Sequence, residues 1–357
     1  MKDTELEKLV GTEEQLLKSF AGKTFLVTGA TGLIGSAVCR VLLESNRRYG
    51  TEIRIIAAYR NRSKFEAAFG IDAGRMTRLE GDIAALADVF DYEEKPDYIL
   101  HCASQTDSKS FLKNPLETIN TALSGVRSVI EIGRHCHECS ILNFSTMEVY
   151  GDAPDGRDLI MHPWREDELG FLDLYNPRNS YPVVKRCCEN ICCCERSVSN
   201  MKIASVRLAQ TFGVGVPYAD RRVYAQFAKN VLNGEDLVLL TDGSLKHDFL
   251  DVYDSVSAFL HILSSGVNEN CYNIANSDSF MSIRELADLF ASKNKDVSVE
   301  IRIDNEAAKK FTSTKVTRLD CSRLRATGWR PLFTMNDTVQ SLLDWYRAQS
   351  EKSGSRS

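Results

Sequence analysis

The chain has 357 residues, 43% of them hydrophobic and 26% charged, with a formal net charge of −5. That length allows one large α/β domain or two domains sharing a cleft, and the apolar content suffices for a sizeable core. The acidic balance excludes a general attraction to nucleic acid or to an anionic membrane, and no apolar run is long enough to span a bilayer.

The opening stretch, "MKDTELEKLVGTEEQLLKSF", alternates charge with Leu at helical spacing. It predicts a short amphipathic helix outside the main fold. It has the pattern of neither a signal peptide nor a transit peptide, so a cytoplasmic location is expected. Next, "KTFLVTGATGLIGSAVCRVLLES" predicts a strand, a glycine turn and a helix. Further strands are predicted at "EIRIIAAYR", "TRLEGDI", "DYILHCAS", "CSILNFSTMEVYG" and "MKIASVRLAQTFG", with helical patterns such as "PLETINTALSGVRSVIEIGRHC" between them. This alternation predicts an α/β fold with a doubly wound parallel sheet. After Gly213, loops rich in Gly, Asp and Arg and a terminal helix, "MNDTVQSLLDWYRAQ", predict a smaller C-terminal lobe covering the carboxyl ends of the strands, where ligands bind. The expected divisions are a helical extension at 1–21 and a dinucleotide-binding domain at 22–206, with part of 247–275 returning to it. A substrate-binding lobe is expected at 207–246 and 276–350, and a disordered tail at 351–357.

Gly29, Gly32 and Gly35 form a GxxGxxG turn between an apolar strand and an apolar helix. The first glycine makes the tight turn, the second lets the backbone approach a pyrophosphate, and the third permits close helix–strand packing. The helix N-terminus then presents unpaired N–H groups to the anion. Thr31, Leu33 and Ile34 complete this expected cofactor cradle. An acidic residue at the end of the second strand would hold a ribose 2′-hydroxyl, but that strand ends "AAYRNRSK". Arg60 and Arg62 stand there instead, suited to a 2′-phosphate or to a solvated loop, so these residues leave the choice between NAD and NADP open. Asp82, followed by Ile83, is a partner for the adenine amine or a strand-end cap.

Tyr181 and Lys185 lie four apart in "SYPVVKRCCE", on one face of a helix. An ammonium beside a phenol stabilises the phenolate, which then serves as a general base near neutral pH. Thr146, at the polar end of the fifth strand, is placed to share a hydrogen bond with the hydroxyl that Tyr181 deprotonates.

With these motifs in place the chain resembles the extended short-chain dehydrogenases/reductases, in the NAD-dependent epimerase/dehydratase family that modifies nucleotide sugars. The residues that carry the resemblance are "TGATGLIG", "GDI", "HCAS", "STMEVYG", "YPVVK", "RLAQTFG" and "LDCSRLRATGWRP", in the family's order. "STMEVYGDA", "NPRNSYPVVKRCCE" and "DRRVYAQF" are most similar to the UDP-glucuronate decarboxylase branch. The resemblance implies a Rossmann-type domain with a substrate-binding lobe. It implies catalytic roles for Thr146, Glu148, Tyr181 and Lys185, and it adds Ala103 to the cofactor contacts. Ser104, Met147, Gln210, Arg222 and His247 are the implied substrate contacts, the substrate being a nucleoside-diphosphate sugar.

Members that dehydrate a hexose place Asp and then Glu after the threonine, and the Asp protonates the departing hydroxyl. Here Met147 holds that position and has no proton to give. Decarboxylation needs no such acid, because a ketone at carbon 4 is β to the uronate carboxylate. Met147 as simple packing is the plainer alternative. The resemblance also has departures. Gln210 replaces an Asn, and His247 replaces an arginine that faces the diphosphate or the sugar, leaving Lys246 or Arg222 to supply charge. Arg222 is a phosphate contact or a surface ion pair.

The expected activity is therefore decarboxylation of a UDP-uronate through a transient 4-keto sugar, followed in preference by 4-epimerisation and then 4,6-dehydration. An NADP-dependent carbonyl reductase and a cofactor-sensing binding protein are the rivals from other classes. Family members pair through the helices that include the Tyr–Lys helix, so a homodimer is implied. Five of the eleven cysteines, at 187, 188, 192, 193 and 194, fit small buried hydrophobes on a packed helix. His101 fits a packed polar residue and Asn120 a structural hydrogen bond. "HCHEC", from His135 through Cys136 and His137 to Cys139, fits a solvated helix end, and no metal is expected.

Overall fold

The computed structural model describes residues 3–104, 113–136, 138–304 and 316–354. His137 and residues 355–357 of the expected tail lie outside them. The strands are β1 (Thr24–Thr28), β2 (Arg54–Tyr59), β3 (Thr77–Glu80), β4 (Tyr98–His101), β5 (Ser140–Thr146) and β6 (Lys202–Leu208), then β7 (Gln210–Phe212), β8 (Leu237–Leu239), β9 (Lys246–Asp251), β10 (Cys271–Ile274), β11 (Phe280–Ser282) and β12 (Val299–Ile301). The helices are α1 (Thr4–Thr12), α2 (Glu14–Lys18), α3 (Leu33–Tyr49), α4 (Arg62–Phe69), α5 (Leu86–Val89) and α6 (Pro115–Arg134), then α7 (Ser180–Val198), α8 (Val223–Asn233), α9 (Val252–Ser264), α10 (Ile283–Ala291), α11 (Ser322–Ala326) and α12 (Met335–Gly354).

A seven-stranded sheet runs in the order β10-β6-β5-β4-β1-β2-β3, with every neighbouring pair parallel. β1, "TFLVT", is buried at all five positions, as a parallel sheet covered on both faces requires. Strand order reverses between β1 and β4, which opens a crevice over their carboxyl ends. The expected doubly wound sheet is therefore present. β10 adds its seventh strand, and α9 packs on α3.

Two small sheets, β11-β9-β7 and β12-β8, belong to the second part of the structure. Its core includes Phe212, Tyr224, Phe227, Leu286, Phe290, Leu342 and Tyr346. Residues 319–333, placed in this lobe from sequence, bury Leu319, Leu324, Trp329 and Phe333 in the large core instead. The reason is that α11 packs beside β10.

The N-terminal helices do not stand outside the fold. Leu9, Val10, Leu17 and Phe20 are buried in the large core, where α1 and α2 cover α3 and α9. Hydrogen bonds fix the docking: Tyr49 Oη donates to the Val10 carbonyl at 3.0 Å, Ser257 Oγ to Glu13 at 2.7 Å, and Tyr253 Oη to Asp3 at 2.5 Å. The cysteines of α7 also divide. Cys188 and Cys192, four apart, are buried, whereas Cys187, Cys193 and Cys194 are exposed. One helix face cannot hold all five.

This docking has a pH consequence. Glu5 is buried at 7% exposure beside the N-terminus of α9, and neither of its carboxylate oxygens makes a hydrogen bond of good geometry. Burial and the nearby Asp251 push its carboxyl up, with Asp3 and Asp337 adding to the effect and Ser341 pulling weakly the other way. Burial and Asp251 likewise raise Asp254 to about 8, against the pull of backbone N–H donors and Lys8. A carboxyl whose folded pKa lies above its unfolded one binds its proton more tightly when folded. Stability is then highest below the unfolded pKa and falls as pH climbs toward the folded pKa. The unfolding temperature should accordingly decline between about pH 5 and pH 9. Glu5→Gln should flatten that decline and stabilise the protein at pH 9 by roughly 1–3 kcal/mol. Thermal unfolding across pH checks it, and parallel curves for parent and variant would refute the assignment.

Candidate active site

The glycine turn between β1 and α3 is a cradle that side chains cannot enter. Gly29 has φ +65°, and a Cβ there would lie 2.8 Å from the Ala103 Cα. At Gly35 a Cβ would lie 2.3 Å from the Gly29 carbonyl oxygen, so the close packing expected of the third glycine is present. Gly32 is the N-cap of α3 and supplies no side chain to its first N–H groups. Thr31, Leu33 and Ile34 flank it, each partly buried. A dinucleotide pyrophosphate fits this arrangement, because the N–H groups and the helix dipole favour an anion.

β4 meets the cradle from the side. Thr28 Oγ1 lies 3.0 Å from His101 Nδ1 and accepts a hydrogen bond from Ala103 N at 3.2 Å. Burial, with Lys185 nearby, pulls His101 down to about 3, so the ring is neutral and acts as a packed polar residue. At the end of β2, Arg60 is exposed and lies 3.9 Å from Asp82, while Arg62 lies 4.0 Å from Glu66. Asp82 accepts from Ala84 N at 2.9 Å and caps the turn that begins at Ile83.

The reactive groups gather where β5 ends and α7 begins. Tyr181 is 7% exposed, and its hydroxyl is close enough to Thr146 and Ser104 for both to favour the phenolate. Lys185 Nζ donates to the Phe144 carbonyl at 2.6 Å and sits 5.9 Å from the centre of the Tyr181 ring. Burial pushes the Tyr181 phenol upward and the charge of Glu148 adds to this; Thr146, Arg222 and Ser104 pull it down. The electrostatics thus differ from the sequence expectation. The cation that offsets the burial is Arg222, whereas the Lys185 amine is itself lowered by burial and bonded to backbone.

Glu148 is exposed to solvent yet surrounded by protein, and this desolvation raises its carboxyl to about 7. Its neighbour Met147 is partly buried and packs against the large core. Arg186, which the sequence did not single out, holds this turn to α7: Nε donates to the Val149 carbonyl at 2.6 Å and Nη2 to the Gly170 carbonyl at 2.8 Å.

The remaining expected contacts fall unevenly. Arg222 forms an ion pair with Asp220 at 2.5 Å, and its charge still reaches Tyr181. Asp220 was missed in the sequence, where its spacing of two from Arg222 was the available signal. Gln210 begins β7 and is partly buried. His247 is 8% exposed, its Nδ1 has no hydrogen-bond partner, and burial lowers it to about 4, so it brings no cation to the cleft. Lys246 lies 3.6 Å from Glu285. Asn120 is exposed on α6, the helix that packs against the Tyr–Lys helix.

A dinucleotide cradle thus lies beside the buried Tyr181 and Lys185 and the half-buried Thr146 on a doubly wound sheet. Residues 25–275 match the NAD dependent epimerase/dehydratase family, and the chain belongs to that family. Its cofactor is NAD. Over 331 residues the chain is 22% identical to UDP-glucuronic acid decarboxylase 1 of Xenopus tropicalis, covering 92% of this chain and 73% of that protein. It is 23% identical to dTDP-glucose 4,6-dehydratase 1 of Escherichia coli, covering 91% and 93%. Among solved structures, the epimerase Mth375 of Methanothermobacter thermautotrophicus superposes with a TM-score of 0.78 at 21% identity, covering 96% of this chain and 97% of that one. No helix among the described residues is long and apolar enough to cross a membrane.

Proposed function

We propose that the protein acts on a nucleoside-diphosphate sugar through a transient 4-keto intermediate, most favourably as a decarboxylase of a UDP-glucuronate type of substrate. The observation that carries this reading is the buried Tyr181 hydroxyl beside Thr146 and Ser104, with Met147 and Glu148 following Thr146 in the next turn. NAD supplies the hydride acceptor and donor. Tyr181 takes the proton of the sugar 4-hydroxyl while Thr146 orients that hydroxyl. The carbonyl formed at carbon 4 lies β to the carboxylate, so the bond from carbon 5 to the carboxyl carbon breaks and its electron pair moves toward the carbonyl. Glu148, half-protonated near neutral pH, is matched to deliver the proton that carbon 5 then needs. Met147 offers no acid for a departing hydroxyl, which disfavours 4,6-dehydration; 4-epimerisation ranks second.

Arg60 and Arg62 at the end of β2 support one other reading, an NADP-dependent carbonyl reductase. We also propose a cytoplasmic homodimer. All eleven cysteines are free thiols, as a reducing compartment leaves them. The exposed Leu116 and Val198 extend the outward face of α6 and α7.

Denaturing the purified protein should release NAD. Incubation with UDP-, dTDP-, CDP- and GDP-sugars, followed by mass, should then show loss of carbon dioxide from a uronate. Loss of water, an unchanged mass with inverted carbon 4, or release of NADP would replace the decarboxylase reading by dehydration, epimerisation or reduction respectively.

A further inference from the structure

A buried ion pair joins the helix that carries Tyr181 to β6, the neighbour of the strand that carries Thr146. Glu189 follows Lys185 by four residues and Tyr181 by eight, so all three lie along one side of α7. They reach three consecutive residues at the end of β5. Tyr181 stands beside Thr146, Lys185 donates to the Phe144 carbonyl, and Ser145 Oγ donates to Glu189 Oε1 at 2.5 Å. Arg207 of β6 holds Glu189 from the other side, with Nε donating to its two oxygens at 3.1 and 3.2 Å and Nη2 donating at 2.7 Å. Arg207 is 4% exposed, donates to the Glu166 carbonyl at 3.1 Å and lies 4.8 Å over the Tyr150 ring. Tyr150 in turn donates to Asn273 of β10 at 2.7 Å.

Stability alone does not account for such a pair. Burying two charges is costly, and well-packed apolar replacements are often as stable or more so. What an apolar pair cannot supply is a directional hold on one hydroxyl.

We infer that Glu189, clamped by Arg207, is a positioning residue that keeps α7 in register with the end of β5, so that the Tyr181 and Thr146 hydroxyls stay within one hydrogen bond. For the reaction it serves, this inference rests on the function proposed above. Its geometric part does not. Glu189 also lies close enough to Lys185 to oppose the burial that lowers that amine.

Ser145→Ala is the mildest test, because it removes the hold on β5 and leaves the Glu189–Arg207 pair intact. It should lower kcat about 10-fold with KM within about twofold, since loosened geometry costs the transition state rather than the bound ground state. Glu189→Gln should lower kcat further, by about 100-fold where it folds, because Arg207 then lacks its counter-charge. Parent-like kcat in Ser145→Ala would overturn the inference. A second measurement is independent of turnover: a thermal-unfolding cycle of Ser145→Ala, Tyr181→Phe and the double variant. Ser145 is held by Glu189, so coupled, non-additive shifts between it and Tyr181 are expected through the clamp. Additive shifts would overturn it. A parent protein that transforms no nucleotide sugar would refute the proposed function, and the cycle would still decide the positioning role.

Discussion

Tyr181→Phe is expected to lower kcat by about 10²–10⁴-fold while leaving NAD retention and nucleotide-sugar affinity close to those of the parent. The substitution keeps the ring, which fills the same buried volume, and removes only the hydroxyl beside Thr146 and Ser104. Lys185 stays anchored on the Phe144 carbonyl, so the helix face is retained. The proton transfer occurs in the transition state, and so the loss should fall on kcat and on kcat/KM together. Burial and Glu148 hold this phenol above its ordinary range, which makes its activation dependent on positive charge close by. Arg222 is one such charge, and it is held in place by its ion pair with Asp220. Steady-state kinetics with released-nucleotide analysis of the same preparations checks the expectation. A variant retaining even a tenth of parent kcat would remove Tyr181 from the role of base.

Much of this arrangement is legible in the sequence, because it is written in local patterns. The glycine turn is a strand–turn–helix motif, and Tyr181 and Lys185 are one helical turn apart, so both needed only short-range spacing. The sheet followed from the alternation of apolar strands with helical segments. The docking of residues 4–20 was not legible, because an amphipathic helix carries no sign of what its apolar face meets; here Leu9, Val10, Leu17 and Phe20 meet the large core. Electrostatics was hidden for the same reason. That Lys185 is engaged by the Phe144 carbonyl, that Arg222 influences Tyr181, and that His247 is a buried neutral ring all depend on contacts between distant segments. Glu189 and Arg207 did leave a trace. Arg207 is a charge inside the apolar strand "KIASVRL", and a buried charge requires a partner somewhere.

Gly35→Ala should cost both the cofactor and a large part of the stability, roughly 2–4 kcal/mol. The added Cβ would stand 2.3 Å from the Gly29 carbonyl oxygen, 2.9 Å from the Gly29 carbonyl carbon and 3.1 Å from the Ala30 Cα. All three are backbone atoms, so no side-chain rotation relieves the clash, and α3 must move off the turn. That helix buries Ala37, Val38, Val41 and Leu42 in the large core, so its displacement is felt far from the cradle. Gly32→Ala provides the contrast. Gly32 is exposed at φ −80°, and its Cβ would meet only the Gly29 oxygen, at 3.2 Å. It should leave the unfolding temperature nearly unchanged yet weaken NAD retention, because the methyl group occupies the space a pyrophosphate approaches. Moles of NAD per mole of protein and the unfolding temperature, measured on both variants, separate the two roles: Gly35 lets the helix pack, and Gly32 lets the anion in. A Gly35→Ala protein with parent-like stability would mean that the turn and helix yield where their backbone contacts say they cannot.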